Sequence, residues 1–146
     1  MRTNLLANPI VPIASPHDAV ETYEQLRVYF LQTEFVPIVV HVIEKAGGAP
    51  DKASVEQRGA HAEQAFDEFR KRAQMDGVNI ETKLLYGSDI ADTIHTAAAD
   101  LDASAIVFTS RGGNRWLNLV SGNVRAKLIA HQRRPVIVLP RMGNNE

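Results

Sequence analysis

No cysteine occurs among the 146 residues, which removes disulfide staples, thiolate metal sites and cysteine nucleophiles together. Net charge is nearly absent as well: Lys and Arg number 16 against 17 Asp and Glu, a total of -1. That total argues against wholesale binding to nucleic acid or to an anionic membrane. No apolar run approaches the roughly 20 residues that a membrane-spanning helix requires. The opening stretch MRTNLLANPIVPI lacks the small-residue cleavage pattern of a secretory signal. A cytoplasmic protein that is not inserted in a membrane is expected. The length suits one domain over residues 1–146, since two ordinary cores would not fit.

Local signatures of catalysis are missing too. There is no Gly-x-x-x-x-Gly-Lys-Ser/Thr loop and no Gly-x-Gly-x-x-Gly, so neither a P-loop ATPase nor a dinucleotide oxidoreductase has support. No Gly-x-Ser-x-Gly elbow exists for a hydrolase triad. The histidines at 17, 41, 61, 95 and 131 lack His-x-x-x-His or His-Glu-x-x-His spacing and read as surface or core residues rather than metal ligands. Asp89 and Asp92 sit where negative charge favours a helix start, so they read as caps before acid–base groups. Response-regulator receivers need an acidic pair after the first strand and a phosphorylatable Asp after the third. Ala14-Ser15 and Tyr86-Gly87 supply neither. No catalytic residue is expected.

What the chain does contain is a regular alternation. Ile10–Ile13, Val36–Ile43, Val78–Tyr86, Ala105–Phe108 and Val136–Leu139 read as strands. Between them, apolar residues recur at helical spacing: Ala19, Tyr23, Leu26 and Phe30; then Ala62, Ala65, Phe66, Phe69 and Ala73; then Ile90, Ile94, Ala97, Ala98 and Leu101; then Val124 and Leu128. Gly59 weakens the early turns of the second helix. Strands apolar on both faces and separated by helices imply an α/β fold, a five-stranded parallel sheet sandwiched by four helices in three layers. The Rossmann-like and flavodoxin-like strand orders lead.

Ligands of open parallel sheets bind beyond the carboxyl ends of the strands, where the chain order reverses. That directs attention to Ala14–His17 and to Thr109–Gly122. The second loop carries Arg111, Gly112, Gly113, Arg115 and Gly122, followed by Asn123 and Val124 at the start of the fourth helix. Glycine lets backbone N–H groups approach an anion, and a helix start favours one. Trp116 and Leu117 in the same loop either cover a ligand or pack against the fourth helix. Charge is skewed in the same direction: residues 1–102 carry 9 basic and 16 acidic side chains, residues 103–146 carry 7 and 1. Either a solvated basic face or an anion site accounts for this.

At these residues the chain resembles the universal stress protein family. Nucleotide-binding members carry Gly-x-x-Gly, nine residues, then Gly and Ser or Thr after the fourth strand. Gly112 and Gly122 keep that spacing, with Thr109 in place of the first glycine and Asn123 in place of Ser or Thr. Ile10–Pro16 resembles the family's first strand and turn, with Ala14 replacing an acidic residue, and His41-Val42-Ile43 resembles the end of its second strand. Tyr86–Ile90 and Arg134–Pro140 complete the likeness. The resemblance implies the adenine nucleotide alpha hydrolase-like architecture and a weak or degenerate ATP, AMP or phosphate site. In it, Gly112, Gly113, Gly122 and Asn123 donate to phosphate, Arg111 and Arg115 neutralise it, and Ala14, Ser15 and Val42 line the nucleoside side. It also implies a homodimer through Val136, Ile137, Val138 and Leu139, where an apolar edge strand would invite pairing. The Ala14-Ser15-Pro16 turn is similar to one in family domains joined to membrane transporters. A non-nucleotide-binding interaction domain for a transporter is therefore the alternative.

Overall fold

A computed structural model describes residues 4–30, 36–44, 52–109, 124–130 and 133–139, with the side chains of 52–55 and 125 outside that description. The elements are β1 (Ile10–Pro12), α1 (Pro16–Phe30), β2 (Ile38–Glu44), α2 (Lys52–Met75), β3 (Glu81–Gly87), α3 (Ile90–Asp100), β4 (Ile106–Thr109), α4 (Val124–Ala130) and β5 (Val136–Leu139). All pairings are parallel and the order is β3-β2-β1-β4-β5, the Rossmann-like of the two expected orders.

Two cores result, one on each face. Tyr23, Leu26, Phe66, Phe69 and Val107 belong to the layer under α1 and α2. Ile94, Ile106, Phe108 and Leu128 belong to the layer under α3 and α4. The periodic residues of α2 are buried almost completely: Ala62, Ala65, Phe66, Phe69 and Ala73. Tyr23 stands edge-on to Phe69, with centroids 5.2 Å apart, and its hydroxyl donates to Asp76 Oδ2 at 2.6 Å. Burial first, and the Asp76 bond second, push the Tyr23 phenol well above its ordinary range. Arg27 Nε reaches the same carboxylate at 2.8 Å, so α1 is tied to the end of α2 by a phenol and a guanidinium sharing one partner.

β3 begins at Glu81, three residues later than the alternation from Val78 suggests. The amide of Val78 donates to the Ala73 carbonyl at 2.8 Å and that of Gly77 to the Gln74 carbonyl at 3.1 Å. With Gly77 at φ 71° this is a Schellman cap, so residues 78–80 leave the helix before joining the sheet. Tyr86 is exposed and its neighbour Leu85 is buried, because successive side chains of this edge strand point to opposite faces and Leu85 joins the α3–α4 core.

Two glycines should respond in opposite directions to alanine. Nothing lies within 4 Å of a Cβ at Gly59, inside α2, whereas one at Gly87 would come 3.0 Å from Thr93 Cβ and collide with its hydroxyl. Thr93 is held by its Oγ1 bond to the Asp89 carbonyl and has little freedom to retreat. Gly59→Ala is expected to stabilise by about 0.5–1 kcal/mol and Gly87→Ala to destabilise by about 1–3 kcal/mol, read from urea denaturation midpoints.

Candidate functional site

The turn after β1 is locked by its own side chains. Ser15 Oγ accepts the Asp18 amide at 3.0 Å, and the Ser15 carbonyl accepts that of Ala19 at 2.8 Å, which makes Ser15 the N-cap of α1. Pro16 opens the helix, where its missing N–H is no loss. Asp18 reaches back, and its Oδ2 accepts the Ala14 amide at 2.7 Å. This reciprocal arrangement explains how a carboxylate is tolerated at 1% exposure in the first turn of α1.

Beside this turn, over the carboxyl ends of β1 and β2, lies a hollow of about 320 Å³. The strands contribute Ala14, His41 and Val42, and α2 contributes Gln57, Arg58 and His61. Arg58 Nη1 donates to the Glu44 carbonyl at 2.8 Å, closing the β2 end. His41 is buried, and its Nδ1 lies 2.9 Å from the Ile13 carbonyl. Since a carbonyl only accepts, Nδ1 carries the proton and the neutral ring keeps Nε2 as an acceptor. Burial holds the His41 imidazole below its ordinary value; nearby His61 adds to this, while the Ile13 bond and Asp18 oppose it.

A second hollow of about 330 Å³ lies between α3 and α4, lined by Asp89, Asp92, His95 and Lys127. Its polar groups are largely engaged. Asp89 caps α3 by accepting the Asp92 amide at 2.9 Å and pairs with Lys127 at 3.0 Å, which together hold its carboxyl below the usual range. His95 Nε2 donates to the Leu128 carbonyl at 2.9 Å. Two of the late basic residues are therefore matched across the fold by earlier groups: Lys127 by Asp89, and Arg134 by the Ala103 carbonyl at 3.0 Å.

Of the residues singled out from the sequence, Ala14 and Val42 meet in the first hollow. Ser15 serves as a helix cap, and Val124 is buried in the α3–α4 core. Arg111, Gly112, Gly113, Arg115, Gly122 and Asn123, with Trp116 and Leu117, lie outside the described residues. Thr109 ends β4 fully buried, and its hydroxyl has no partner among the described residues. Sequence reasoning missed His41, Arg58 and His61 as lining. The signal for His41 was a lone polar residue at the carboxyl end of an otherwise apolar strand; the two α2 residues offered none.

These features define an open α/β protein of the doubly wound class, with a hollow over the carboxyl ends of β1 and β2, next to the β1–β4 pair where the strand order reverses. The universal stress protein family model matches residues 11–140, and the chain belongs to that family. A universal stress protein from Lactobacillus plantarum superposes with a TM-score of 0.67 at 25% identity, over 92% of this chain and 97% of that one. One from Archaeoglobus fulgidus, solved in complex with dAMP, gives 0.56 at 24% identity over 92% and 98%. A family protein from Arabidopsis thaliana with AMP bound gives 0.64 at 19% identity over 92% and 93%. A comparison with curated protein sequences finds no significant match.

The locked, buried imidazole makes stability depend on pH. A histidine whose folded pKa lies below its unfolded value near 6.5 binds fewer protons when folded, so stability falls as pH drops below about 6.5. An NMR titration should place the His41 midpoint below that of a free imidazole. His61→Ala, which removes a neighbouring positive charge at acid pH, should move it upward.

Proposed function

We propose that the chain is a regulatory module of the universal stress protein type that holds an adenine nucleotide, ATP or AMP, or a phosphate group weakly beyond β1 and β4. The observation that carries this reading is the reversal of strand order between β1 and β4, with an open hollow lined by Ala14 and Val42 beside it. The relatives solved with AMP and dAMP support a purine nucleotide as the ligand. In this reading Arg111 and Arg115 neutralise phosphate, and Gly112, Gly113, Gly122 and Asn123 donate to it. Ala14 offers no side-chain acceptor, and losing one charged hydrogen bond costs about 1.5–3 kcal/mol, which makes the site weak.

The alternative of a transporter-binding domain has in its favour only the Ala14-Ser15-Pro16 turn. Helix capping accounts for Ser15 and Pro16 without a partner. Titration calorimetry with ATP, AMP and inorganic phosphate tests the nucleotide reading. Measurable heat is expected at submillimolar to millimolar ligand, weakened about tenfold or more by Arg111→Ala. Silence with all three ligands at millimolar concentration would remove it.

We further propose that the module is a homodimer joined through β5. The two sheet edges differ in chemistry. β3 carries the exposed charges Glu81 and Lys83, which discourage pairing, whereas β5 is Val-Ile-Val-Leu with Val138 41% exposed. Sedimentation should give a dimer at micromolar concentration, and Val138→Lys should give a monomer. A monomeric wild type would overturn the assignment.

A further inference from the structure

His41 differs in kind from the other polar residues of the first hollow. Gln57 and His61 are exposed on α2 and free to turn, and Arg58 can only donate. His41 is buried and cannot reorient without giving up its bond to the Ile13 carbonyl. That bond consumes the ring's one N–H, so the atom left for a ligand is Nε2, an acceptor. No described residue donates to it. A fixed acceptor discriminates where a mobile one adapts, because a ligand lacking the matching donor leaves it unpartnered in a partly dry site.

We infer that His41 is a specificity-determining residue that favours, at the base end of the hollow, a heterocycle donating a hydrogen bond: an amino-substituted purine over its deamino counterpart. The inference rests on the nucleotide reading above and adds to it the residue that reads the base. Ala14 and Val42 supply apolar walls on the same side, which position a flat ring without selecting among purines.

The test compares AMP with purine riboside 5′-monophosphate, which lacks only the 6-amino group, by calorimetry on the full chain. AMP should bind the wild type about threefold to tenfold more tightly, the worth of one neutral hydrogen bond. Two variants separate the ring nitrogens. His41→Asn offers an amide N–H where Nδ1 stood, so it preserves the Ile13 bond and removes the acceptor; it should bind both nucleotides equally at a nearly unchanged melting temperature. His41→Gln offers an amide oxygen where Nε2 stood but gives up the Ile13 bond, so it should keep a preference for AMP smaller than that of the wild type. Equal binding of both nucleotides by the wild type, or a preference that survives His41→Asn, would overturn the inference alone. No heat from either nucleotide would overturn the nucleotide reading and the inference with it.

Discussion

Strand–helix–strand crossovers in parallel sheets are right-handed, and the carboxyl edge of this molecule is shaped by that rule. Starting from β1 in the middle, the chain moves outward to β2 and β3, which sets α1 and α2 on one face. To reach the other side of β1 it must return past its own start, and the same handedness then sets α3 and α4 on the opposite face. The helices that follow β1 and β4 consequently lie in opposite layers.

How far this was legible beforehand depended on how much each element relied on burial alone. α2 and α3 read correctly because each buries one apolar stripe: Phe66 and Phe69 in one, Ile94 and Ala98 in the other. Such stripes carry their period in the sequence. β3 was misjudged at its start because Val78 and Ile80 are apolar for a different reason. They pack against the α1–α2 core as the chain leaves the Schellman cap, before any ladder forms. Alternation cannot distinguish a residue buried by a turn from one buried by a sheet.

The site was legible at its strands and not at its helix. Ala14 follows from the rule that ligands sit past strand ends, and Val42 from the family resemblance. Arg58 and His61 enter the hollow only because α2 leans over β2, and they lie 14 to 17 residues beyond the end of that strand in a sequence without local signal. Ser15 shows how the two readings of a turn serine divide: its hydroxyl satisfies the first turn of α1. A helix start leaves four amides without intrahelical partners, so a serine there is claimed by the backbone first.

The same competition decides where the polar character of the hollow comes from. The family resemblance places an acidic side chain at the position of Ala14, facing the ligand. This chain has its carboxylate four residues later, at Asp18, and the fold uses it: one oxygen holds the Ala14 amide, and the group is buried under the turn. A carboxylate so placed stabilises the β1–α1 connection and is withdrawn from solvent. One strand over, His41 is a buried polar group with an uncommitted ring atom, held in register because Ile13 and His41 follow the Pro12–Val40 pair. Its bond to the Ile13 carbonyl crosses from β2 to the end of β1, so the residue that fixes the strand end also presents the remaining ring nitrogen. With no acidic side chain at position 14, the fixed acceptor beside this turn is the His41 ring, whose orientation the sheet itself enforces.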